Sequence, residues 1–211
     1  MGGGIYIQGA NTNFTHNNIS SNIAENSGGG VYSLGHNITM DDIYAFNNTA
    51  QNGGFAQFAA SDDLTVKNST FISNHATGDI FGDPKRGEGG AFQIHGSRNV
   101  TIEGKFYNNT AMNGSAIYVE NGPGVDPETY EPITIVSSVN IHDSEFYDNQ
   151  ALSYYLIAAP ENGTTYQTGD KKIVSFSHIG GDNIANAIHS RNGESDIKIR
   201  NITFPFYHIG V

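Results

Sequence analysis

The sequence contains no cysteine and no tryptophan, and only ten of its 211 residues are lysine or arginine. Without cysteine, disulfide bonds are excluded, so the fold must be held together by its core and its hydrogen bonds. The few cations, with a formal net charge of −11, argue against a nucleic-acid partner, since phosphate binding needs clustered positive charge. No apolar run approaches the roughly 18 residues of a membrane span, so no membrane insertion is expected.

Glycine is abundant, with 26 residues, and it recurs in a motif that opens a short apolar stretch. The motif reads GGGIYI at 2–7, GGGVYS at 28–33, GGFAQF at 53–58, GGAFQI at 89–94, GSAIYV at 114–119 and ANAIHS at 185–190. Most intervals are close to one period of about 25 residues, or to that period plus an insertion. This regularity predicts an architecture of stacked structural repeats.

Two further elements recur in the same phase. Polar and apolar residues alternate in NFTH at 13–16, NITM at 37–40, DLTV at 63–66, NVTI at 99–102, SVNI at 138–141 and DIKI at 196–199, which is typical of half-buried strands. An Asn-x-Ala turn begins at Asn22, Asn48, Asn74, Asn109 and Asn149. We expect these asparagines to adopt a left-handed backbone and to hydrogen-bond from repeat to repeat.

Three short strands per period predict an all-β fold, a right-handed parallel β-helix of about seven coils, as a single domain over residues 1–211. Insertions near 78–88, 121–134 and 160–171 should leave the coils as side loops. The expected inward columns are Ile5, Val31, Ala56, Phe92, Ile117 and Ile188; then Phe14, Ile38, Leu64, Val100, Val139 and Ile197; and finally Phe71, Phe106, Phe146 and Phe204. Because GGGIYI begins directly after Met1, we expect the chain to be part of a longer polypeptide or of an assembly.

The paired motifs carry a resemblance to known proteins. GGAF at 89–92, with FISN at 71–74, FYNN at 106–109 and FYDN at 146–149, resembles the repeats of polymorphic outer-membrane and adhesin-type β-helix proteins. The chain as a whole looks like the pectate-lyase-like β-helix superfamily. The resemblance covers most of residues 2–204 and implies the fold more specifically than the function, since this fold serves enzymes, adhesins and fibre parts.

Ten Asn-x-Ser/Thr sequons exceed the number expected by chance and favour an N-glycosylated protein. They begin at Asn13, Asn18, Asn37, Asn47, Asn68, Asn99, Asn108, Asn113, Asn162 and Asn201. The alternative is that repetition creates them, because a turn asparagine precedes a strand whose outward residue is threonine. On that view Asn13, Asn37 and Asn99 share one structural column.

The outward residues of the first strand form a candidate carbohydrate-contact column. They are Tyr6, Tyr32, Gln57, Gln93, Tyr118 and His189. Aromatic rings and amides in line are able to stack on and hydrogen-bond to a polysaccharide. The alternative is a ladder of side chains that stabilises the sheet itself.

An enzyme of this fold is the alternative function, a lyase or hydrolase acting on polysaccharides. Such enzymes use clustered aspartates with an arginine or lysine. The chain holds only fragments of that pattern: Asp41-Asp42, Asp62-Asp63, SHIGG at 177–181 and IKIR at 197–200. We therefore assign no catalytic residue, and no cofactor or metal is expected. The eight histidines are scattered, and calcium at Asp79, Asp83 or Glu88 is only weakly indicated.

These patterns together favour a non-enzymatic structural or adhesive module outside the cell or on its surface. Its expected partners are flanking coils of a longer chain or further copies stacked end to end as a fibril or stalk, and also glycans. Exposed strand edges at both ends of a β-helix would promote such stacking.

Overall fold

The computed structural model describes residues 2–78, 87–151, 166–168, 171–173, 187–190 and 195–203. Within these residues the chain forms β-strands and no helix. The first sheet contains β1 (Ile5–Ile7), β3 (Val31–Ser33), β6 (Ala56–Ala59), β9 (Phe92–His95), β12 (Ile117–Glu120) and β19 (Ile188–Ser190). The second contains β2 (Ala10–Ser20), β4 (His36–Phe46), β7 (Leu64–Ile72), β10 (Val100–Tyr107), β15 (Ser138–Tyr147) and β20 (Asp196–Thr203).

A third, smaller sheet contains β5 (Thr49–Ala50), β8 (His75–Ala76), β11 (Thr110–Ala111) and β16 (Gln150–Ala151). All strand pairs within these three sheets are parallel. The chain passes from the first sheet to the second and third, then returns beside its earlier strand. We call each such passage a repeat. A seventh repeat would have to include residues from 152–186, most of which lie outside the described residues.

The register of the first sheet confirms the inward column expected from the sequence. Val31 pairs with Ala56, and the column continues through Phe92 and Ile117 to Ile188. Its middle members are fully buried, whereas Ile5 and Ile188 at the ends are only partly buried. The apolar interior therefore lies between the three sheets.

In the second sheet, the first repeat is displaced by two residues from the expected alignment. Phe14 pairs with Met40 rather than with Ile38, whose partner is Thr12. The backbone near the start of each of these strands has one residue with a positive φ, and in β2 that residue is Asn11, with φ 60°. The corresponding turn residue in the next repeat is Asn37, so the proposed column of Asn13, Asn37 and Asn99 is wrong for Asn13.

Phenylalanines stack along the interior as expected. The ring centroids of Phe71 and Phe106 are 4.9 Å apart, and those of Phe106 and Phe146 are 4.8 Å apart with an interplanar angle of 6°. Phe204, the fourth expected member, lies outside the described residues. Phe55 is an additional buried ring, 5.4 Å from Phe71, that the repeat pattern did not predict.

The asparagines of the Asn-x-Ala turns form a continuous ladder. Nδ2 of each donates to Oδ1 of the next at 2.9–3.0 Å, from Asn22 through Asn48, Asn74 and Asn109 to Asn149. The ladder confirms the expected hydrogen bonding. The left-handed backbone, however, belongs to the preceding residue, as at Asn47 with φ 55°.

The two glycines of each pair are needed for different reasons. Gly53 has φ +59°, a left-handed conformation that side chains rarely adopt. At Gly54, an added Cβ would lie 2.3 Å from the carbonyl oxygen of Gly90 in the next repeat. One glycine therefore allows the turn, and the other allows two repeats to approach closely.

The insertion near 121–134 leaves the parallel sheets as an antiparallel hairpin, β13 (Gly122–Val125) and β14 (Pro132–Ile135). Part of the insertion near 160–171 is also antiparallel, because β17 (Tyr166–Thr168) pairs with β18 (Lys171–Ile173). Residues 79–86 of the insertion near 78–88 lie outside the described residues. The described chain contains no helix of the length and apolarity needed to cross a membrane.

Candidate functional site

The candidate contact column on the first sheet is accessible mainly at its start. Tyr6 and Tyr32 stack with ring centroids 5.8 Å apart, and Tyr6 is 46% exposed. Gln57, Gln93 and Tyr118 are buried, and Nε2 of Gln57 donates to Oε1 of Gln93 at 2.6 Å. The side chain of His189, the remaining member, lies outside the described residues. The column is therefore not a continuous surface for a polysaccharide, and its amides form a ladder instead.

A buried polar cluster continues this ladder. Nε2 of Gln93 donates to Oε2 of Glu88 at 3.0 Å and to Oε1 of Glu120 at 3.2 Å. Nδ1 of His95 lies 3.8 Å from the same oxygen of Glu120. Both glutamates are less than 10% exposed, so the contacts are those of a polar network that joins repeats. The sequence had suggested Glu88 only as a weak calcium ligand, and it had not indicated Glu120.

Six of the ten sequon asparagines lie at left-handed turn positions, and their side-chain amides donate to the preceding repeat at 2.6–3.4 Å. The donors and acceptors are Asn37 to Asn11, Asn47 to Ser21, Asn68 to Asp41, Asn99 to Asp63, Asn108 to Ser73 and Asn201 to Asp143. The donating atom, Nδ2, is also the atom to which an N-linked glycan is attached. A glycan at these positions would compete with the ladder contact.

The other four sequons have different surroundings. Asn13 and Asn18 are exposed, and their side chains make no hydrogen bond within the described part of the chain. Asn113 is only 6% exposed, which leaves no room for a glycan in this fold. Asn162 lies outside the described residues.

The hydrogen bonds from these turn asparagines also lower the pKa of neighbouring carboxylates. Hydrogen bonds from Asn68 and then from Lys67 lower the pKa of Asp41, and hydrogen bonds from Asn201 and His142 lower the pKa of Asp143. These carboxylates are therefore held in the charged form as acceptors. In the described ranges, no three histidine or acidic side chains converge as a metal site.

A groove of about 460 Å³ crosses the outer face of the second sheet over β10, β15 and β20. Its polar lining residues are Asn99, Thr101, Ser138, Asn140, Asp196, Lys198 and Arg200. Thr101, Asn140 and Lys198 are register partners on adjacent strands, so they form one row across the groove. The alternation of each strand directs Val100 and Val139 into the core and the polar residues outward.

The cations of the second sheet and its turns are ion-paired, with one exception. The pairs are Lys67 with Asp41 at 3.2 Å, Arg98 with Asp62 at 2.6 Å, Lys105 with Glu145 at 3.6 Å and Lys198 with Asp196 at 3.7 Å. Arg200 is exposed, and no described carboxylate lies within 4.0 Å of it. It is the unpaired cation of the groove.

Sequence reasoning missed this groove. Taken alone, IKIR is only a fragment of an enzyme motif, and the repeated strand patterns NVTI and SVNI do not single out Thr101 or Asn140. The register that brings them together depends on how long each insertion is, which the strand motifs alone do not show. The signal that was available was two cations two residues apart, Lys198 and Arg200, in a chain with very few.

Comparisons of the chain with known protein-family profiles, with curated proteins and with solved structures find no match. The fold is all-β, with three parallel sheets built from successive repeats.

Proposed function

We propose that this chain is a right-handed parallel β-helix of about seven coils, related to the pectate-lyase-like superfamily, that serves as a non-enzymatic structural or adhesive module. The observation that carries the proposal is the continuity of its internal ladders. Five asparagines and three stacked phenylalanines follow one another through successive repeats. Such ladders stabilise a rod along its whole length rather than a single local site.

We place the module outside the cell or on its surface. An absence of cysteine suits either a reducing or an oxidising compartment, so the support comes from the two exposed sequon asparagines, Asn13 and Asn18. On intact source cells, antibody labelling and proteolysis should reach the protein without lysis. Labelling that appears only after lysis would contradict the proposed location.

Glycosylation at Asn13 and Asn18 is proposed in preference to the ladder positions. In a chain secreted from a glycosylating host, Asn18→Gln should lower the intact mass by one glycan. The matched variant Asn37→Gln should leave the mass of the glycans unchanged, because Nδ2 of Asn37 is engaged with Asn11 at 2.6 Å. An intact mass equal to 22.7 kDa before any enzymatic deglycosylation would exclude this modification.

A polysaccharide-binding or polysaccharide-degrading function is the second candidate, and the groove on the second sheet favours it. A volume of about 460 Å³ falls within the range of small-ligand sites. To distinguish degradation from binding, the protein is incubated with polysaccharides, and new reducing ends and unsaturated products are measured. Binding alone produces neither. Release of products would overturn the non-enzymatic proposal.

A further inference from the structure

The groove on the second sheet combines a free positive charge with free hydrogen-bonding groups. Arg200 forms no ion pair within the described chain, and the side chains of Thr101 and Asn140 make no hydrogen bond there. A guanidinium presents a planar fork of donors that matches a carboxylate or sulfate group. A hydroxyl and a carboxamide, by contrast, are suited to the hydroxyl groups of a sugar ring.

The charge around the groove limits how much negative charge a ligand can carry. Lys198 is already opposite Asp196 at 3.7 Å, so Arg200 is the uncompensated cation. Asp143 lies near enough for the charge of Arg200 to act on it, and its own hydrogen bonds keep it ionised. The chain as a whole carries a formal charge of −11. A polymer with an acidic group on every ring would be repelled, whereas one acidic group beside Arg200 is accommodated.

We propose that this groove binds the end of an oligosaccharide that carries a single acidic group, a carboxylate or a sulfate, on its terminal ring. The acidic group lies against Arg200, and the ring hydroxyls lie along the row formed by Thr101 and Asn140. This inference rests on the adhesive function proposed above and names the ligand that such a module recognises.

The test measures binding of the purified full chain to a panel of defined oligosaccharides. The panel contains one neutral parent and four derivatives: ended by sialic acid, ended by glucuronic acid, sulfated on the terminal ring, and carrying a uronic acid on every ring. We expect the singly acidic derivatives to bind more tightly than both the neutral parent and the fully acidic chain. The preferred member identifies the source of the acidic group.

Variants then locate the site. Arg200→Gln should weaken binding of the preferred derivative by about tenfold or more, because a charge-assisted hydrogen bond is lost. Asn140→Ala should weaken binding of the neutral and acidic sugars alike. Lys105→Gln is the matched control, since it removes one exposed cation on the same sheet outside the groove, and it should leave affinity within about twofold.

Three results would overturn the proposal: no binding to any member, equal binding of neutral and acidic sugars, or unchanged affinity in Arg200→Gln. Unchanged circular dichroism and thermal unfolding of each variant exclude loss of fold as the cause of a weaker interaction. Because binding is measured on the isolated chain, it is independent of the surface-labelling test. If surface labelling succeeds but no sugar binds, the proposed sugar site is rejected while the proposed location is not.

Discussion

Asn74 shows what the turn asparagine does in each repeat. Its Nδ2 donates to Oδ1 of Asn109 at 3.0 Å and to the carbonyl oxygen of Ala45 at 3.2 Å. Its Oδ1 accepts from both the backbone N–H and the side-chain Nδ2 of Asn48. All the hydrogen-bonding capacity of this buried amide is therefore used inside the fold, and no other side chain of the same size offers the same donors and acceptor.

Replacing Asn74 with alanine should lower the free energy of unfolding by about 3 kcal/mol or more. The substitution removes four hydrogen bonds and leaves neighbouring buried groups unsatisfied. Chemical denaturation measures the change. Asn140→Ala removes an amide of the same size that makes no hydrogen bond within the described chain, and it should cost less than about 0.5 kcal/mol. Equal effects in the two variants would contradict a special role for the ladder.

His75 provides a second residue-level prediction, in this case on pH. Burial lowers the pKa of His75 below its ordinary value of 6.5. The unfolded chain therefore binds a proton at His75 more tightly than the folded chain does. This titration leaves the free energy of unfolding unchanged above pH 6.5 and lowers it as the pH falls below 6.5. His75→Gln should make the free energy of unfolding less dependent on pH in that range.

Thr110→Val is the control for His75, because it removes the hydroxyl that contacts Nδ1 of His75 and keeps the titrating ring. Unfolding of this variant should retain the pH dependence. Loss of the dependence in Thr110→Val as well as in His75→Gln would show that the contact with the Thr110 hydroxyl, rather than burial of the ring alone, is responsible. Retention of the dependence in His75→Gln would show that His75 is not its source.

Among the elements, the second repeat packs differently from those that follow it. Ala45 stands where the next repeats have Phe71, Phe106 and Phe146. Phe55 stands in the third repeat, and its ring lies so close to Gly30 that an added Cβ there would be 2.7 Å from Cδ2. We expect the Phe55 ring to fill the interior space that a phenylalanine at position 45 would otherwise occupy.

A double substitution tests this compensation. Phe55→Ala should cost about 3–5 kcal/mol through the cavity it leaves, and Ala45→Phe alone about 1–3 kcal/mol through overpacking. Combined, they should cost less than the sum, because the new ring occupies the vacated space. Thermal or chemical unfolding of the four proteins gives the coupling energy. Additive costs would show that the two positions do not share one space.

The hairpin of β13 and β14 should be dispensable for folding. Tyr130 at its tip is 81% exposed and Val125 is 60% exposed, so little apolar surface is buried there. Replacing residues 123–134 with a two-residue Asn-Gly turn should change the free energy of unfolding by less than about 0.5 kcal/mol. Asn121 is retained, since its Oδ1 accepts from the backbone of Ser137 at 3.0 Å. A large loss of stability would place the hairpin in the folding core.

These elements also show how far the sequence could be used for prediction. Spacing and alternation were sufficient for the parallel strands and the asparagine ladder, because each repeat presents the same turn and the same buried side. They were not sufficient for the first repeat, where Asn11 and Asn13 are both suitable turn residues and only pairing with β4 selects Asn11. The groove was missed for a similar reason, since it depends on three strands separated by insertions.

At the scale of the whole molecule, the first repeat exposes apolar side chains. Ile23 is 76% exposed, and Phe14 and Ile5 are only partly buried, whereas their register partners Met40 and Val31 in the next repeat are fully buried. β1 and β2 each have one neighbouring strand in the described part of the chain. An unpaired edge with apolar residues behind it favours association with another strand.

We therefore expect the chain to associate through this face, with further coils of a longer polypeptide or with a second copy. Sedimentation of the chain alone should show concentration-dependent association, and electron microscopy should show rods longer than one chain. Ile23→Lys should reduce the association by adding a charge at the contact. A purely monomeric particle at all concentrations would contradict self-association.

The asparagine ladder has one more consequence, which concerns direction. In a parallel sheet the backbone donors alternate between the two neighbours, but the four side-chain hydrogen bonds of the ladder all run the same way, each from Nδ2 of one asparagine to Oδ1 of the asparagine in the next repeat. The ladder is thus a row of aligned dipoles with an acceptor at Asn22 and a donor at Asn149. Two chains joined end to end in the same orientation would extend that row, whereas two Asn22 ends brought together would oppose oxygen to oxygen. Any growing assembly of this chain would therefore be polar, with two chemically different tips.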